Sequence, residues 1–278
     1  MVKTEETLEE PKKLNEEVVE EEKLEVEKDI IEVAGVEEET LPIPETDLGK
    51  WNPKTTLGKK VKSGEITNID QILDKGEKIL EKEIVEILLP KLENELLMVG
   101  QSKGKFGGGA RRVFKQTQKK TPEGNKPSFA CFAVVGDKDG YIGGGYGKSK
   151  DTVPAREKAI RKAKLNVFKI RRGCGSWQCG CKTPHSIPFQ AIGKCGSVEI
   201  KLMPAPKGKG LCIEKECAKI LRLAGIKDVW SKTKGQTKVK QNLIMACFNA
   251  LKKIMQMKVN KELIESVGLV EGRKKLEI

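Results

Sequence analysis

Aromatic side chains are scarce in this sequence: they make up 4% of its 278 residues, and there is a single histidine. A broad platform of aromatic rings that stacks on single-stranded nucleic acid is therefore disfavoured. No apolar run approaches the roughly 18 residues that a membrane-spanning helix needs. The first ten residues are acidic and lack the apolar core of a secretory signal. We therefore expect a cytoplasmic protein.

The charge is unevenly distributed along the chain. The formal net charge is +13, with 53 Lys and Arg against 40 Asp and Glu. Residues 1–47 alone carry 18 acidic side chains and five lysines, so the rest of the chain is strongly basic. A polyanion is the expected partner of the basic part. The acidic part is predicted to be a solvated tail, or alternatively a mimic of nucleic acid that shields the basic body.

Changes in composition and periodicity divide the chain into five predicted segments. They are an acidic disordered tail over 1–47, a connector with short helices over 48–96, a basic domain over 97–172, a second domain over 173–257 and a charged tail over 258–278. In the connector, Asp70 is predicted to cap a helix over 71–73. In the basic domain we predict a buried strand over 129–135, a strand from Tyr141, a glycine-rich loop over 143–149 and a basic helix from Thr152.

The second domain is predicted from alternating apolar residues and from helical spacing. The elements are half-buried strands over 187–191 and 198–202 with a hairpin at 193–196, a helix that stops at Gly225, a short strand at 228–230 and a long helix from about 239 to 257.

Two glycine-rich motifs depart from the nucleotide-binding patterns that they resemble. Counting back from Gly147, the Walker pattern requires a glycine where the chain has Ile142, and the dinucleotide pattern requires one at Lys148. Segment 206–211 resembles the phosphate loop of the galactokinase and mevalonate kinase group, but its serine-rich half is missing. We expect Lys148 and Lys150 to contact phosphate at a helix start without catalysis. A small-molecule kinase is kept as the enzyme alternative.

Three cysteines and the single histidine form a cluster in the sequence. Cys174, Cys179, Cys181 and His185 follow the spacing C-x4-C-x-C-x3-H. Thiolates and imidazole can close a tetrahedral structural zinc site, although paired C-x2-C knuckles are the usual signature. Two interpretations stay open, namely a structural metal and reduced thiols beside a hydrogen-bonded histidine. The remaining cysteines are expected to fill the core: Cys131, Cys195, Cys212, Cys217 and Cys247.

Several long motifs are similar to one protein family. They are Trp51-Asn-Pro-Lys-Thr, Ile84-Val-Glu-Ile-Leu-Leu-Pro90, Val134-Val-Gly-Asp-Lys-Asp-Gly-Tyr-Ile-Gly143, Arg171-Arg-Gly-Cys-Gly-Ser-Trp-Gln-Cys-Gly-Cys-Lys-Thr-Pro-His185, Gly193-Lys-Cys-Gly-Ser-Val198, Met203-Pro-Ala-Pro206 and Ala224-Gly-Ile-Lys-Asp-Val-Trp-Ser231. The chain resembles the small-ribosomal-subunit protein S-five family in its archaeal form over about residues 50–257.

This resemblance implies an α+β protein. Its first domain would resemble a double-stranded-RNA-binding fold, and its second would be a small α/β domain with a left-handed crossover. The expected function is structural, without catalysis: binding of small-subunit ribosomal RNA near the decoding region and the path along which messenger RNA enters. This binding would support assembly and accuracy. Neighbouring proteins, including S-four, and messenger RNA are the other expected partners. A free-standing RNA-binding regulator is the remaining alternative.

The resemblance and the basic segments together nominate residues for contact with ribosomal RNA. Arg171 and Arg172 match an Arg-Arg-Gly motif of the family directly, and the others match it by location or lie in basic glycine-rich stretches. The others are Lys103, Lys105, Arg111, Arg112, Lys115, Lys119, Lys120, Lys148, Lys150, Arg156, Arg161, Lys207 and Lys209. Residues 115–128 form a longer stretch than the turn expected of the family, and 1–47 have no counterpart in it.

Overall fold

The computed structural model describes residues 51–102 and 111–275. The acidic segment 1–47, predicted to be disordered, lies outside this range, as do Lys103 and Lys105. The described residues from Trp51 onward pack as one compact unit. None of their helices is both long enough and apolar enough to cross a membrane.

Three short helices precede the first sheet: α1 (Thr56–Lys62), α2 (Asp70–Lys75) and α3 (Lys82–Leu88). The Thr55 hydroxyl caps α1 by accepting a hydrogen bond from the Gly58 N–H at 3.0 Å. Asp70 was predicted to cap α2 but is its first residue. Its carboxylate instead accepts a hydrogen bond of 2.7 Å from the Tyr141 hydroxyl, and this bond ties α2 to the sheet.

The first sheet is antiparallel and has five strands: β1 (Glu93–Leu97), β2 (Lys115–Thr121), β3 (Gly124–Gly136), β4 (Tyr141–Ser149) and β5 (Val167–Lys169). The order is β1-β3-β4-β5, and β2 pairs with the first half of the long strand β3. Helix α4 (Thr152–Leu165) packs on one face through Ala155, Ala159 and Ala163, which are fully buried.

The glycine-rich stretch 143–149 is a strand, so its prediction as a loop was wrong. Every second residue from Gly143 to Gly147 is a glycine that faces α4, and a Cβ at Gly143, Gly145 or Gly147 would collide with the backbone of that helix. The absence of side chains on this face lets the helix lie against the strand. Close packing against α4, rather than turn formation, accounts for these glycines.

Residues 115–128 form most of a β-hairpin rather than an extended turn. β2 pairs with the start of β3 from Lys115 opposite Ala130 to Thr121 opposite Gly124. Gly124 has a φ of +116°, a left-handed conformation that glycine adopts without strain. The extra length relative to the family's expected turn is therefore a strand pair with a defined register.

The second sheet contains β7 (Ala191–Cys195), β8 (Val198–Pro204), β9 (Leu211–Cys212) and β10 (Val229–Lys234), in the order β7-β8-β10-β9. Helices α5 (Lys215–Leu223) and α6 (Lys240–Gln256) pack with it. β9 and β10 are parallel, and the other pairs are antiparallel. The strand predicted over 187–191 begins only at Ala191, and Ile187 is buried outside any strand. The predicted hairpin at 193–196 turns later, at Gly196 and Ser197.

Regular elements are present where the sequence predicted only a charged tail. They are helix α7 (Lys261–Val267) and strands β11 (Val270–Glu271) and β12 (Lys274–Lys275). β11 pairs with β6 (Arg171–Arg172), the strand at the junction of the two sheets. Segment 258–278 is thus folded back onto the body over its described residues.

Two cores lie on opposite faces of the first sheet. Cys131, Ala133 and Val135 face the alanines of α4 and the short N-terminal helices. Phe132 and Val134 face the second sheet and its helices. Phe132 stacks on Phe248 of α6 with ring centroids 6.1 Å apart, so the two sheets share one of these cores.

Candidate nucleic-acid interface and metal centre

The β2–β3 hairpin extends a lysine-rich arm into solvent. Lys115, Lys119 and Lys126 are all exposed, and Lys119 lies directly opposite Lys126. Like charges that face each other across a strand pair destabilise it, and Glu123 offsets this only in part through an exposed ion pair with Lys126. The arm therefore presents positive charge that the described residues neutralise only in part.

Lys148 lies on the same face of the sheet as these lysines. Lys115 pairs with Ala130, and Ala130 pairs with Lys148 on its other side. Residues opposite each other in a ladder point to the same face, and two strand spacings separate Lys115 from Lys148 by roughly 10 Å. Alternation along β2 adds Lys119, roughly 14 Å farther along the strand. We call Lys115, Lys119 and Lys148 the lysine face.

Other predicted contact residues lie away from the lysine face. Lys120 points to the opposite face of the hairpin, because it neighbours Lys119 on β2. Lys150 is exposed just before α4, and Arg156 and Arg161 are exposed on that helix, on the other side of the sheet. The structure thus divides the predicted basic set between two surfaces.

The two arginines before β2 differ in what their guanidinium groups contact. Arg111 donates from Nη2 to the carbonyl oxygen of Lys238 at 3.1 Å, so it bridges to the loop before α6. Arg112 is exposed, and its carbonyl oxygen accepts a hydrogen bond of 2.8 Å from the Gly100 N–H. Arg112 therefore has the freer side chain of the pair.

Arg171 and Arg172 are occupied within the protein. Arg172 is 8% exposed and donates to the carbonyl oxygens of Lys138, Asp139 and Gly272 at 2.8–3.3 Å. Arg171 forms an ion pair with Glu271 through Nε. Burial lowers the pKa of Arg172, since the charged form loses solvation. The interpretation of Arg172 as an RNA contact does not fit this geometry, because its donors hold the junction together.

Lys207 and Lys209 lie on a turn at the edge of an open cleft of about 870 Å³. Gly208 and Gly210 of this turn have φ values of +87° and +75°. Lys207 lines the cleft, whereas Lys209 is exposed on the turn and is not one of the lining residues. Arg222 and Lys227, which the sequence did not nominate, also line the cleft and are exposed.

The predicted ligands Cys174, Cys179, Cys181 and His185 come together. Their sulfur and imidazole nitrogen atoms all lie within 4.8 Å of one another, and Cys179 Sγ is 3.9 Å from His185 Nε2. A tetrahedral zinc ion with sulfur and nitrogen ligands requires separations of about 3.6–3.8 Å. Cys174 and His185 are buried, while Cys179 and Cys181 are half-buried. The arrangement needs only a small contraction to close around a metal.

The thiols of the cluster differ in acidity. Burial, together with the neighbouring thiols, raises the pKa of Cys174 to about 11, and its Sγ donates to the Cys179 carbonyl oxygen at 2.9 Å. Hydrogen bonding to Thr183 lowers the pKa of Cys181 to about 6. One thiol is thus ready to act as a thiolate, whereas another must lose a proton before it can bind a metal.

A residue that the sequence did not nominate completes this centre. The buried carboxylate of Asp228 lies 2.8 Å from His185 Nδ1. Asp228 stands 43 residues after the histidine, just before β10, so no local spacing could have revealed it. A carboxylate in this position is the usual support for a metal-bound histidine.

Comparisons with known proteins agree on one family. Residues 110–171 match the model of the N-terminal domain of ribosomal protein S5, and residues 193–264 match that of its C-terminal domain. The small ribosomal subunit protein uS5 of Nanoarchaeum equitans is 51% identical over 226 residues, which cover 81% of this chain and 97% of that protein. The proteins of the same name from Methanocaldococcus jannaschii and Pyrobaculum calidifontis are 46% and 47% identical, covering 82% and 77% of this chain and 98% of each relative.

The matches extend over nearly the full length of each of these relatives. The comparisons give no support to the small-molecule kinase alternative, because the family is one of structural ribosomal constituents. The chain belongs to the ribosomal protein S5 family, in its archaeal form.

Proposed function

We propose that the protein is a structural constituent of the small ribosomal subunit that binds ribosomal RNA through the lysine face and has no catalytic role. The observation that carries this proposal is the register that places Lys115, Lys119 and Lys148 on one face, without ion-pair partners among the described residues. Phosphate groups are the counterions that such a face binds, and each contact releases cations from the RNA. The exposed side of α4, with Arg156 and Arg161, supplies a second basic surface.

The finer assignments follow from the family resemblance. We propose that the protein lies near the decoding region and the path along which messenger RNA enters, and that it contacts messenger RNA and neighbouring proteins including S-four. The helix packed on an antiparallel sheet supports a likeness of 97–172 to double-stranded-RNA-binding folds. The parallel pair β9 and β10, joined through α5, is where the left-handed crossover would lie. The segment boundaries predicted above stay proposals too.

Cosedimentation is the direct test of the ribosomal assignment. In a sucrose gradient of cell extract, the protein should migrate with the small subunit. A free-standing RNA-binding regulator would remain in the upper fractions with soluble proteins. Recovery of the protein only in those upper fractions would therefore overturn the proposal and favour the regulator.

Salt dependence tests the lysine face itself. Replacement of Lys115, Lys119 and Lys148 by glutamine should reduce the slope of log affinity against log salt by about 2–3 for a small-subunit RNA fragment, at roughly 0.9 per phosphate contact in a duplex. Lys78→Gln, at an exposed loop lysine among the N-terminal helices, is the matched control and should leave the slope unchanged. A triple variant with the wild-type slope would show that the RNA lies elsewhere.

A second proposal concerns the cysteine cluster: we propose that Cys174, Cys179, Cys181 and His185 bind one structural zinc ion. The convergence of four ligand atoms from a segment with little regular structure supports it. A bound zinc ion would supply a cross-link with no vacant position for chemistry.

Protein purified without chelators should contain about one zinc per chain, and Cys179→Ser should lose it. Cys212→Ser, at an exposed cysteine outside the cluster, should retain it. Well-folded wild-type protein without zinc would overturn the proposal.

A further inference from the structure

The carboxylate of Asp228 contacts two separate parts of the structure. Oδ2 lies 2.8 Å from His185 Nδ1, and Oδ1 accepts a hydrogen bond of 2.7 Å from the Gly210 N–H. Asp228 is 4% exposed, so its two oxygens are held mainly by these protein partners. One buried carboxylate therefore holds a proposed zinc ligand with one oxygen and a surface turn with the other.

The contact with Asp228 also orients the histidine for metal binding. When His185 Nδ1 carries the proton and donates it to the carboxylate, Nε2 keeps its lone pair. Nε2 is the atom that faces Cys179 Sγ. The carboxylate thus selects the tautomer that a metal requires and holds the ring in position.

Backbone contacts keep the carboxylate in place. The carbonyl oxygen of His185 accepts hydrogen bonds from the N–H groups of Lys227 and Asp228, at 2.8 and 3.1 Å. The Ser186 hydroxyl donates to the carbonyl oxygen of Asp228. The two segments are therefore clamped side by side, and a displacement of His185 is transmitted to Asp228.

The turn at the other end of this connection carries Lys207 and Lys209. Its internal support within the described residues is one backbone bond of 3.3 Å, from Lys209 N–H to the Pro206 carbonyl oxygen. Its attachment to the body is at Gly210, whose N–H donates to Asp228 and whose carbonyl oxygen accepts from Val229 N–H at 3.2 Å. The charge-assisted bond to Asp228 is the shorter of the two attachments.

We propose that Asp228 is the outer carboxylate of the metal centre and that it couples zinc occupancy to the order of the turn 206–210. This inference rests on the proposed zinc site. With zinc bound, His185 is fixed, the carboxylate is fixed by His185, and Gly210 is held. Without zinc, His185 is no longer joined to the three cysteines through a shared metal ion. The turn with its two lysines is then held less firmly.

Zinc affinity in the full-length protein tests the first half of the proposal. Asp228→Asn keeps the size of the side chain but has only one acceptor oxygen for its two donors, His185 Nδ1–H and Gly210 N–H. Competition with a chelator should show zinc binding about 10- to 100-fold weaker in this variant. Asp139→Asn, at an exposed acidic residue lining the same cleft, is the control and should bind zinc like the wild type. An Asp228→Asn affinity within twofold of wild type would remove Asp228 from the metal centre.

Amide hydrogen exchange at Gly210 tests the coupling and needs no variant. Stripping zinc from the wild-type protein should speed this exchange by about tenfold or more, because a hydrogen bond to a charged group is weakened. In Asp228→Asn the exchange should already be fast, and zinc removal should change it little. If zinc binds to the wild type but its removal leaves Gly210 exchange unchanged, the coupling is wrong. If the wild type binds no zinc at all, the proposed site itself is wrong.

Discussion

Between Gly143 and Gly147, strand β4 has no side chains on the face toward α4, and Gly147→Ala is the sharpest perturbation of that arrangement. A Cβ at residue 147 would lie 2.6 Å from the backbone nitrogen of Ala159 and closer still to the carbonyl oxygen of Ala155. Ordinary van der Waals contact begins near 3.4 Å. Neither neighbour is a flexible side chain, so the collision can be relieved only by moving α4 or bending β4.

The expected cost follows from this displacement. Moving α4 outward by about 1 Å forfeits a quarter to a half of the dispersion energy at its contact with the sheet. Over-packed cores are typically destabilised by about 1–3 kcal/mol, and a collision between two backbones belongs at the upper end of that range. We therefore expect a loss of about 3 kcal/mol, which corresponds to a decrease in Tm of about 6–12 °C for a chain of this size.

Urea-induced unfolding followed by circular dichroism measures this loss. Gly180→Ala is the matched control, because a Cβ there meets nothing within 4 Å and the residue does not have a positive φ. The control should stay within about 0.5 kcal/mol of wild type. Equal stabilities of Gly147→Ala and Gly180→Ala would refute the conclusion that close helix packing explains the glycines of β4.

Three further outcomes are expected. Arg172→Met should destabilise the fold by about 3 kcal/mol in urea unfolding, because three carbonyl oxygens lose their donor. The slope of log RNA affinity against log salt should stay at the wild-type value. A changed slope would show that Arg172 contacts RNA. Phe248→Ala should cost about 3–5 kcal/mol in the same assay, because the ring packs on Phe132 and Phe168 between the sheets; a cost below 1 kcal/mol would contradict a shared core. Zinc uptake by stripped protein at pH 7 should release protons, since the Cys174 pKa of about 11 keeps that thiol protonated until metal displaces its proton. Zinc affinity should accordingly fall as pH decreases, and pH-independent retention between pH 5 and 8, measured by dialysis, would exclude thiolate ligation.

The parts of the fold with strong local periodicity could be predicted from the sequence. The buried strand over 129–135 lies within β3, and the helix predicted from about 239 to 257 is α6, over 240–256. The clustering of Cys174, Cys179, Cys181 and His185 is likewise confirmed, because the four residues are close in sequence and share one segment. Local information was sufficient in each of these cases.

Features that depend on distant partners could not be predicted. Glycine favours turns in isolation, whereas Gly143 to Gly147 form a strand through their pairing with β3 and pack closely against α4. Asp228 meets His185 through tertiary packing, so neither position carries a local signal for the other. Strands β11 and β12 have two residues each, too few to show any alternation. The sequence predicted an RNA-binding cation at Arg172, because its carbonyl acceptors lie on segments that are distant along the chain.

The pairing of β11 with β6 has a consequence for the order of synthesis. Val270 lies opposite Arg172, and the N–H of Gly272 donates to the carbonyl oxygen of Ile170 at 3.0 Å. The two strands that form this junction, β6 and β11, are therefore about 100 residues apart along the chain. A ribosome must extend the nascent polypeptide to residue 272 before the guanidinium of Arg172 has all its acceptors. The first sheet can form early during translation, but its attachment to the second is completed only after residue 272 has been added.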